Sequence, residues 1–162
     1  MWRRRDILGA LGTGAAGLAL VANKTLASDQ PSGGEDAKHA AMAKSCCDAC
    51  GSCAEACNKT FHYCVEQASS SKPRHAKMAQ MVADCAAFCA LSAAMISRHS
   101  TLMTLSCRAC ADACRRCAQE CETFDTDIDM KICVDACQRC EEACRNMVKA
   151  MGDGSASGPK AT

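Results

Sequence analysis

Aromatic side chains make up only 3% of this 162-residue chain: Trp2, Phe61, Tyr63, Phe88 and Phe124. A core built on large rings is therefore excluded. Proline occurs three times, and no run alternates β-branched with polar residues, which excludes a sheet. The uncharged stretch from Gly9 to Ala22 is too short and too weakly hydrophobic to cross a membrane as a helix. A formal net charge of +1 leaves no basic excess to hold nucleic acid or anionic lipid. The sequence also has no Gly-rich phosphate loop, no nucleophile–base pair and no open metal site with a carboxylate base, so it reads as a non-enzyme.

What it does have is seventeen cysteines. Sixteen fall on a repeating grid. Cys107, Cys110, Cys114, Cys117 and Cys121 step by three and four residues, as do Cys133, Cys137, Cys140 and Cys144. Cys46, Cys50, Cys53 and Cys57 do the same, with Cys64 one heptad on, and Cys85 and Cys89 form a sparser fourth set. Such steps place side chains on one face of an α-helix. In a bundle that face is the inward seam, where Leu and Ile normally sit. Here thiols replace them. Cys47 falls beside the seam, as a peripheral ligand or a flanking thiol.

Breaks divide the chain into four helices. Residues 1–27 read as a targeting segment, because Arg4-Arg5-Asp6-Ile7-Leu8 resembles the twin-arginine export signature and Thr25-Leu26-Ala27 supplies a cleavage point. Its removal takes away Arg3, Arg4, Arg5, Lys24 and Asp6, leaving 15 basic against 17 acidic side chains. Residues 28–36 read as a Gly/Ser/Pro linker. The pattern then predicts helices over 37–68, 74–98, 101–123 and from Asp127 to about Met151, with Ser71 near the second N-cap and a disordered tail over 152–162. Short loops between helices of this length predict an all-α, antiparallel up-down-up-down four-helix bundle over residues 37–151, with a cysteine-lined core. Twin-arginine substrates cross the membrane already folded. The thiols would therefore meet metal in a reducing cytosol before reaching a periplasmic or other extracytoplasmic compartment.

Cysteines four apart on a helix have Cβ atoms about 5–6 Å apart, while a disulfide needs about 3.8 Å. A two-coordinate ion between the sulfurs fits better, and Cu(I) is soft and favours thiolate. Zinc would want separate tetrahedral sets across a turn. An iron–sulfur cluster is suggested by Cys107-x2-Cys110-x3-Cys114-x2-Cys117, but such ligands sit on loops and this rhythm recurs on every helix. Zinc or iron–sulfur electron transfer and a disulfide-stapled exported module therefore stand as the rival readings. Charge favours copper, because thiolates in a dry core must be neutralised. If each Cu(I) takes two thiolates and each thiolate bridges two ions, the core is neutral at about one copper per cysteine.

With this grid and export signature, the chain resembles the copper storage proteins, four-helix bundles that hold many Cu(I) ions on core cysteines. The resemblance covers roughly residues 38–150 plus the signal, and it departs in the Cys-free gap between Cys57 and Cys64 and in the sparse second helix. It implies a homo-oligomer (a tetramer of bundles in the exported members) serving an unspecified copper-requiring enzyme or chaperone. The topology gathers His62, His75, Met78, Met81 and Met130 at one bundle end. The other end collects His39, Met42, Met95, His99, Met103, Met147 and Met151. Residues similar to His62, Met78 and Met81 line the open mouth in exported relatives, where weaker donors suit entry and exit. Met130 and Cys47 are further candidates. Met95, Met147 and Met151 read as gap-fillers, and His39 and His75 as solvated surface.

Overall fold

The computed structural model describes residues 33–124 and 126–152. The twin-arginine segment, residues 28–32 of the linker and the tail beyond Gly152 lie outside the described residues. Four helices follow in order: α1 Gly33–Ser69, α2 Pro73–Ser97, α3 Met103–Glu122 and α4 Ile128–Met151. Each packs on its neighbours in a ring, α1 on α2, α2 on α3, α3 on α4 and α4 on α1, as an up-down-up-down bundle requires.

The breaks explain why the helices stop where they do. Ser71 takes φ 67° and His99 φ 51°, both in the left-handed region. The Lys72 N–H then reaches back to the Gln67 carbonyl at 3.3 Å, and Ser100 N–H to Met95 carbonyl at 3.0 Å. These closures absorb the orphan carbonyls of a helix end. Pro73 starts α2 as expected, but its N-cap is Lys72 without a side-chain bond, and Ser71 belongs to the closure of α1 instead. Asp127 caps α4, its Oδ1 accepting from the amides of Asp129 at 3.1 Å and Met130 at 3.4 Å. α1 begins at Gly33, inside the segment that composition assigned to the linker. Glu35 and Asp36 in its first turn favour the positive helix end and offset the glycines.

Small side chains fill the core. Sixteen cysteines are buried, with Ala79, Ala86, Ala111, Ala118 and Ala136 between them and Met78, Met103, Met130, Met147, Val82 and Ile96 toward the ends. α2 is apolar enough to cross a membrane by length and composition, with mean hydropathy 1.6. It serves as a bundle helix, presenting Val82, Cys85 and Cys89 to the other three.

Candidate metal centre

Each helix contributes one stripe to a central column of sulfur. On α1 the stripe runs Cys46, Cys50, Cys53, Cys57, Thr60 and Cys64, all buried. Thr60 occupies the Cys-free gap, its hydroxyl donating to the Ala56 carbonyl at 3.1 Å. On α2 it runs His75, Met78, Val82, Cys85, Cys89, Ser92 and Ile96, again in steps of three and four. α3 supplies Cys107 to Cys121, and α4 Cys133 to Cys144.

The sulfurs interlock between helices. Cys46 and Cys144 are 3.8 Å apart, Cys50 and Cys144 3.5 Å, Cys50 and Cys140 3.7 Å, and Cys110 and Cys140 3.7 Å. Cys89 lies 3.5 Å from Cys114 and 3.6 Å from Cys110. Cys53 lies 3.7 Å from Cys137, and Cys57 lies 3.8 Å from Cys133. A disulfide would hold its sulfurs at about 2.05 Å, and all seventeen cysteines are free. Four quartets have every pair of sulfurs within 4.8 Å: Cys50/Cys110/Cys140/Cys144, Cys53/Cys89/Cys114/Cys140, Cys53/Cys85/Cys114/Cys137 and Cys57/Cys117/Cys133/Cys137. A triad of Cys46, Cys107 and Cys144 closes one end. With a metal–thiolate bond of about 2.3 Å, as for zinc, sulfurs this far apart can share one ion. Consecutive quartets also share members: Cys140, then Cys53 and Cys114, then Cys137. The arrangement is a continuous ladder of bridging donors rather than a set of separate tetrahedra.

Within the ladder, thiols donate to one another. Cys53 and Cys110 are driven below the usual thiol range, first by hydrogen bonding with Cys114, and Cys133 first by hydrogen bonding with Cys117, all against the upward push of burial. Cys114 is pushed up, first through Cys110, and Cys117 first through Cys121. Cys64 stands apart, raised to about 11 by burial and then by the Asp127 charge. Ions entering this core displace thiol protons, so binding weakens as pH falls.

At the end where α1 and α3 finish, Met78 and Met130 are buried and Met81 is half-buried. Met78 and Met81 line an open cavity of about 410 Å³ with Arg74, Lys77, Glu120, Thr123 and Phe124. His62 does not join them. Its side chain is 77% exposed and faces Glu66 at 3.7 Å, because five residues beyond Cys57 turn it about 140° away from the seam. His75 takes the inner place. It is 8% exposed, its ring centroid 4.9 Å from that of Phe124 and 5.9 Å from that of Tyr63, with Nε2 3.8 Å from Asp127 Oδ2. Tyr63 donates to the same carboxylate oxygen. The signal was in the spacing, since three- and four-residue steps back from Cys85 pass Val82 and Met78 and reach His75. Cys47 is not brought into the column. Its Sγ lies 3.2 Å from Ser97 Oγ and 3.6 Å from the Ala93 carbonyl, in the α1–α2 groove. At the far end, Met103 and Met147 are buried, Met42 and Met95 half-buried, and His39, His99 and Met151 exposed.

Residues 39–149 match the family model for copper storage protein. The chain belongs to the copper storage protein family. Solved structures agree with that membership. The Cu(I)-bound copper storage protein BsCsp3 is 33% identical over 66% of this chain and 98% of its own, with a TM-score of 0.62. A Nitrosospira multiformis protein, solved by crystallography, is 30% identical over 67% and 95%, at 0.59. A cytosolic copper storage protein from Streptomyces lividans, solved with five coppers, is 26% identical over 72% and 99%, at 0.66. A comparison with curated protein sequences finds no match. The stretch that matches the copper storage model begins seven residues before Cys46 and ends five after Cys144, so it spans the whole sulfur ladder.

Proposed function

We propose that this protein stores Cu(I), binding many ions per chain through the thiolates of Cys46, Cys50, Cys53, Cys57, Cys64, Cys85, Cys89, Cys107, Cys110, Cys114, Cys117, Cys121, Cys133, Cys137, Cys140 and Cys144. The observation that carries it is the ladder of quartets with shared sulfurs. A divalent ion in one quartet would leave the neighbouring quartet short of a ligand. A monovalent two- or three-coordinate ion can occupy the ladder from end to end and leave the buried core neutral. No substrate chemistry enters this reading: copper is the cargo. Anaerobic Cu(I) loading followed by gel filtration against a competing chelator tests it. The expected plateau is about one ion per core thiol; a plateau at one to four would return the site to a mononuclear or single-cluster protein.

Copper enters, in this proposal, at the end holding His75, Met78, Met81 and Met130, beyond Cys64 and Cys121. Support comes from the cavity beside Met78 and Met81 and from the weaker grip of thioether and imidazole on Cu(I). His62, exposed and paired with Glu66, drops out of the mouth, and Cys47 remains a flanking thiol. Replacing Met78 and Met81 with Leu conserves volume, so it should leave capacity unchanged while slowing transfer to a chelator by about tenfold, a barrier rise of about 1.4 kcal/mol. Stopped-flow transfer is the readout. Unchanged rates would move the mouth to the Met103 and Met147 end, which a matching Met103→Leu, Met147→Leu variant tests in parallel.

We also propose export by the twin-arginine route to an extracytoplasmic compartment, on the strength of Arg4-Arg5-Asp6-Ile7-Leu8. The Streptomyces lividans relative is cytosolic, so the N-terminal segment is the feature on which location turns. Assembly as a homo-oligomer and delivery to a copper-requiring enzyme or chaperone complete the proposal.

A further inference from the structure

Among the described residues, the buried side-chain nitrogen and oxygen atoms left without a hydrogen bond are His75 Nδ1 and Nε2 and Ser92 Oγ. Both residues lie on the inner stripe of α2, on either side of Cys85 and Cys89. Ser92 is fully buried. A helical serine ordinarily returns its hydroxyl to the carbonyl one turn back, as Ser97 does to Ala93 at 2.8 Å; Ser92 does not. An unsatisfied buried hydroxyl costs about 1–3 kcal/mol, and such a group calls for an explanation.

Its level in the bundle supplies one. Cys89 contacts Cys110 of α3 at 3.6 Å and Cys140 of α4 at 3.9 Å. Three residues further along α2, about 4.5 Å of rise, lies Ser92. The antiparallel α3 moves the same way from Cys110 to Cys107, and α4 runs on from Cys140 to Cys144. On α1, Cys47 touches Ala93 and Ser97 of α2, which fixes Cys46 at this same level. Three helices thus bring Cys46, Cys107 and Cys144 together as a triad, and on the fourth Ser92 carries a hydroxyl one step beyond Cys85 and Cys89, the α2 thiols of the two central quartets.

We propose that Ser92 terminates the copper ladder, donating its O–H to a copper-bound thiolate of the Cys46/Cys107/Cys144 triad. The inference rests on the storage reading. Inside the ladder each thiolate is neutralised by two ions, but at the last layer there is no further ion to bridge. The terminal thiolate keeps residual negative charge in a dry core, where a hydrogen-bond donor is needed and another anion would be harmful. A serine meets both conditions, since it donates and carries no charge of its own. The hydroxyl that lacks a partner in the metal-free bundle acquires one on loading.

Two variants of the full chain test this against wild type, by native mass spectrometry during Cu(I) titration with a competing chelator and by thermal unfolding of the apo form. Ser92→Ala should raise the apo midpoint by about 3 °C, because the unpaired hydroxyl is gone. It should keep the ion count and weaken the last ion to bind by about tenfold, the loss of a hydrogen bond to a charged group. Ser92→Cys, nearly isosteric, should take up about one ion more, the new thiol proton leaving to solvent. A Ser92→Ala titration that overlays wild type at every ion, or a Ser92→Cys chain that folds and gains no ion, overturns the assignment and leaves storage standing. A wild-type plateau at four ions or fewer overturns storage itself.

Discussion

Replacing Cys114 and Cys117 together with Ala should cut copper capacity by about two to four ions while the four helices persist. Cys114 is the hub of the ladder, with Cys89 at 3.5 Å, Cys85 at 3.8 Å, Cys53 at 3.9 Å and Cys110 at 4.0 Å. The double change removes a ligand from three quartets. It leaves intact the Cys50/Cys110/Cys140/Cys144 quartet and the Cys46/Cys107/Cys144 triad beside it. Binding should therefore survive at that end and thin out in the middle. The apo bundle loses two buried sulfurs, at a cost of about 1–2 kcal/mol each, partly offset by the better helix propensity of Ala. Native mass spectrometry counts the remaining ions, and circular dichroism confirms the helices. Abolition of all binding would mean one indivisible cluster, contrary to a ladder filled site by site.

Copper loading should raise the thermal midpoint by tens of degrees with almost no change in helix content. The apo core is held by alanine, cysteine and a few methionines, which bury less apolar surface than leucines would, at about 0.8 kcal/mol per CH₂-sized group. Its stability is accordingly modest. Each ion that binds only the folded bundle adds about 4 kcal/mol at a thousand times its dissociation constant, and many bind per chain. The helices should form without metal, because Asp127 caps α4 and the ends of α1 and α2 close on their own carbonyls through protein hydrogen bonds. Circular dichroism at low temperature should overlay for apo and loaded protein, while the melting curves separate widely. A large gain of helix on loading would instead show that metal drives folding, as in zinc fingers.

Much of this was legible in the sequence, for a physical reason. Inward positions on a helix recur at three and four residues, and cysteine is rare enough elsewhere to mark them without ambiguity. All sixteen grid cysteines are buried, and Cys47, which the sequence leaves open between peripheral ligand and flanking thiol, lies in a groove between helices. The bundle topology followed from four such stripes and short loops. The ends were harder to read. His62 is placed at the mouth by the topology and by its likeness to mouth residues of exported relatives, but being at the right bundle end does not put a residue on the inner helix face, and its side chain faces Glu66 instead. His75 sits on the stripe yet reads as surface in the sequence, because its line to Cys85 runs through Met78 and Val82 and has no thiol to mark it. Thr60 and Ser92 were hidden in the same way, as polar residues on an inward line. The start of α1 was missed because two glycines read as linker, whereas Glu35 and Asp36 at the positive helix end support the turn.

The central claim is that bridging core thiolates hold the copper, and X-ray absorption at the copper K-edge of the loaded protein tests it most directly. The account predicts a Cu(I) edge and a first shell of sulfur alone, about two to three sulfurs per ion, with a second copper close by because neighbouring ions share thiolates. A first shell dominated by nitrogen or oxygen, or isolated coppers each with four sulfurs and no copper neighbour, would contradict it.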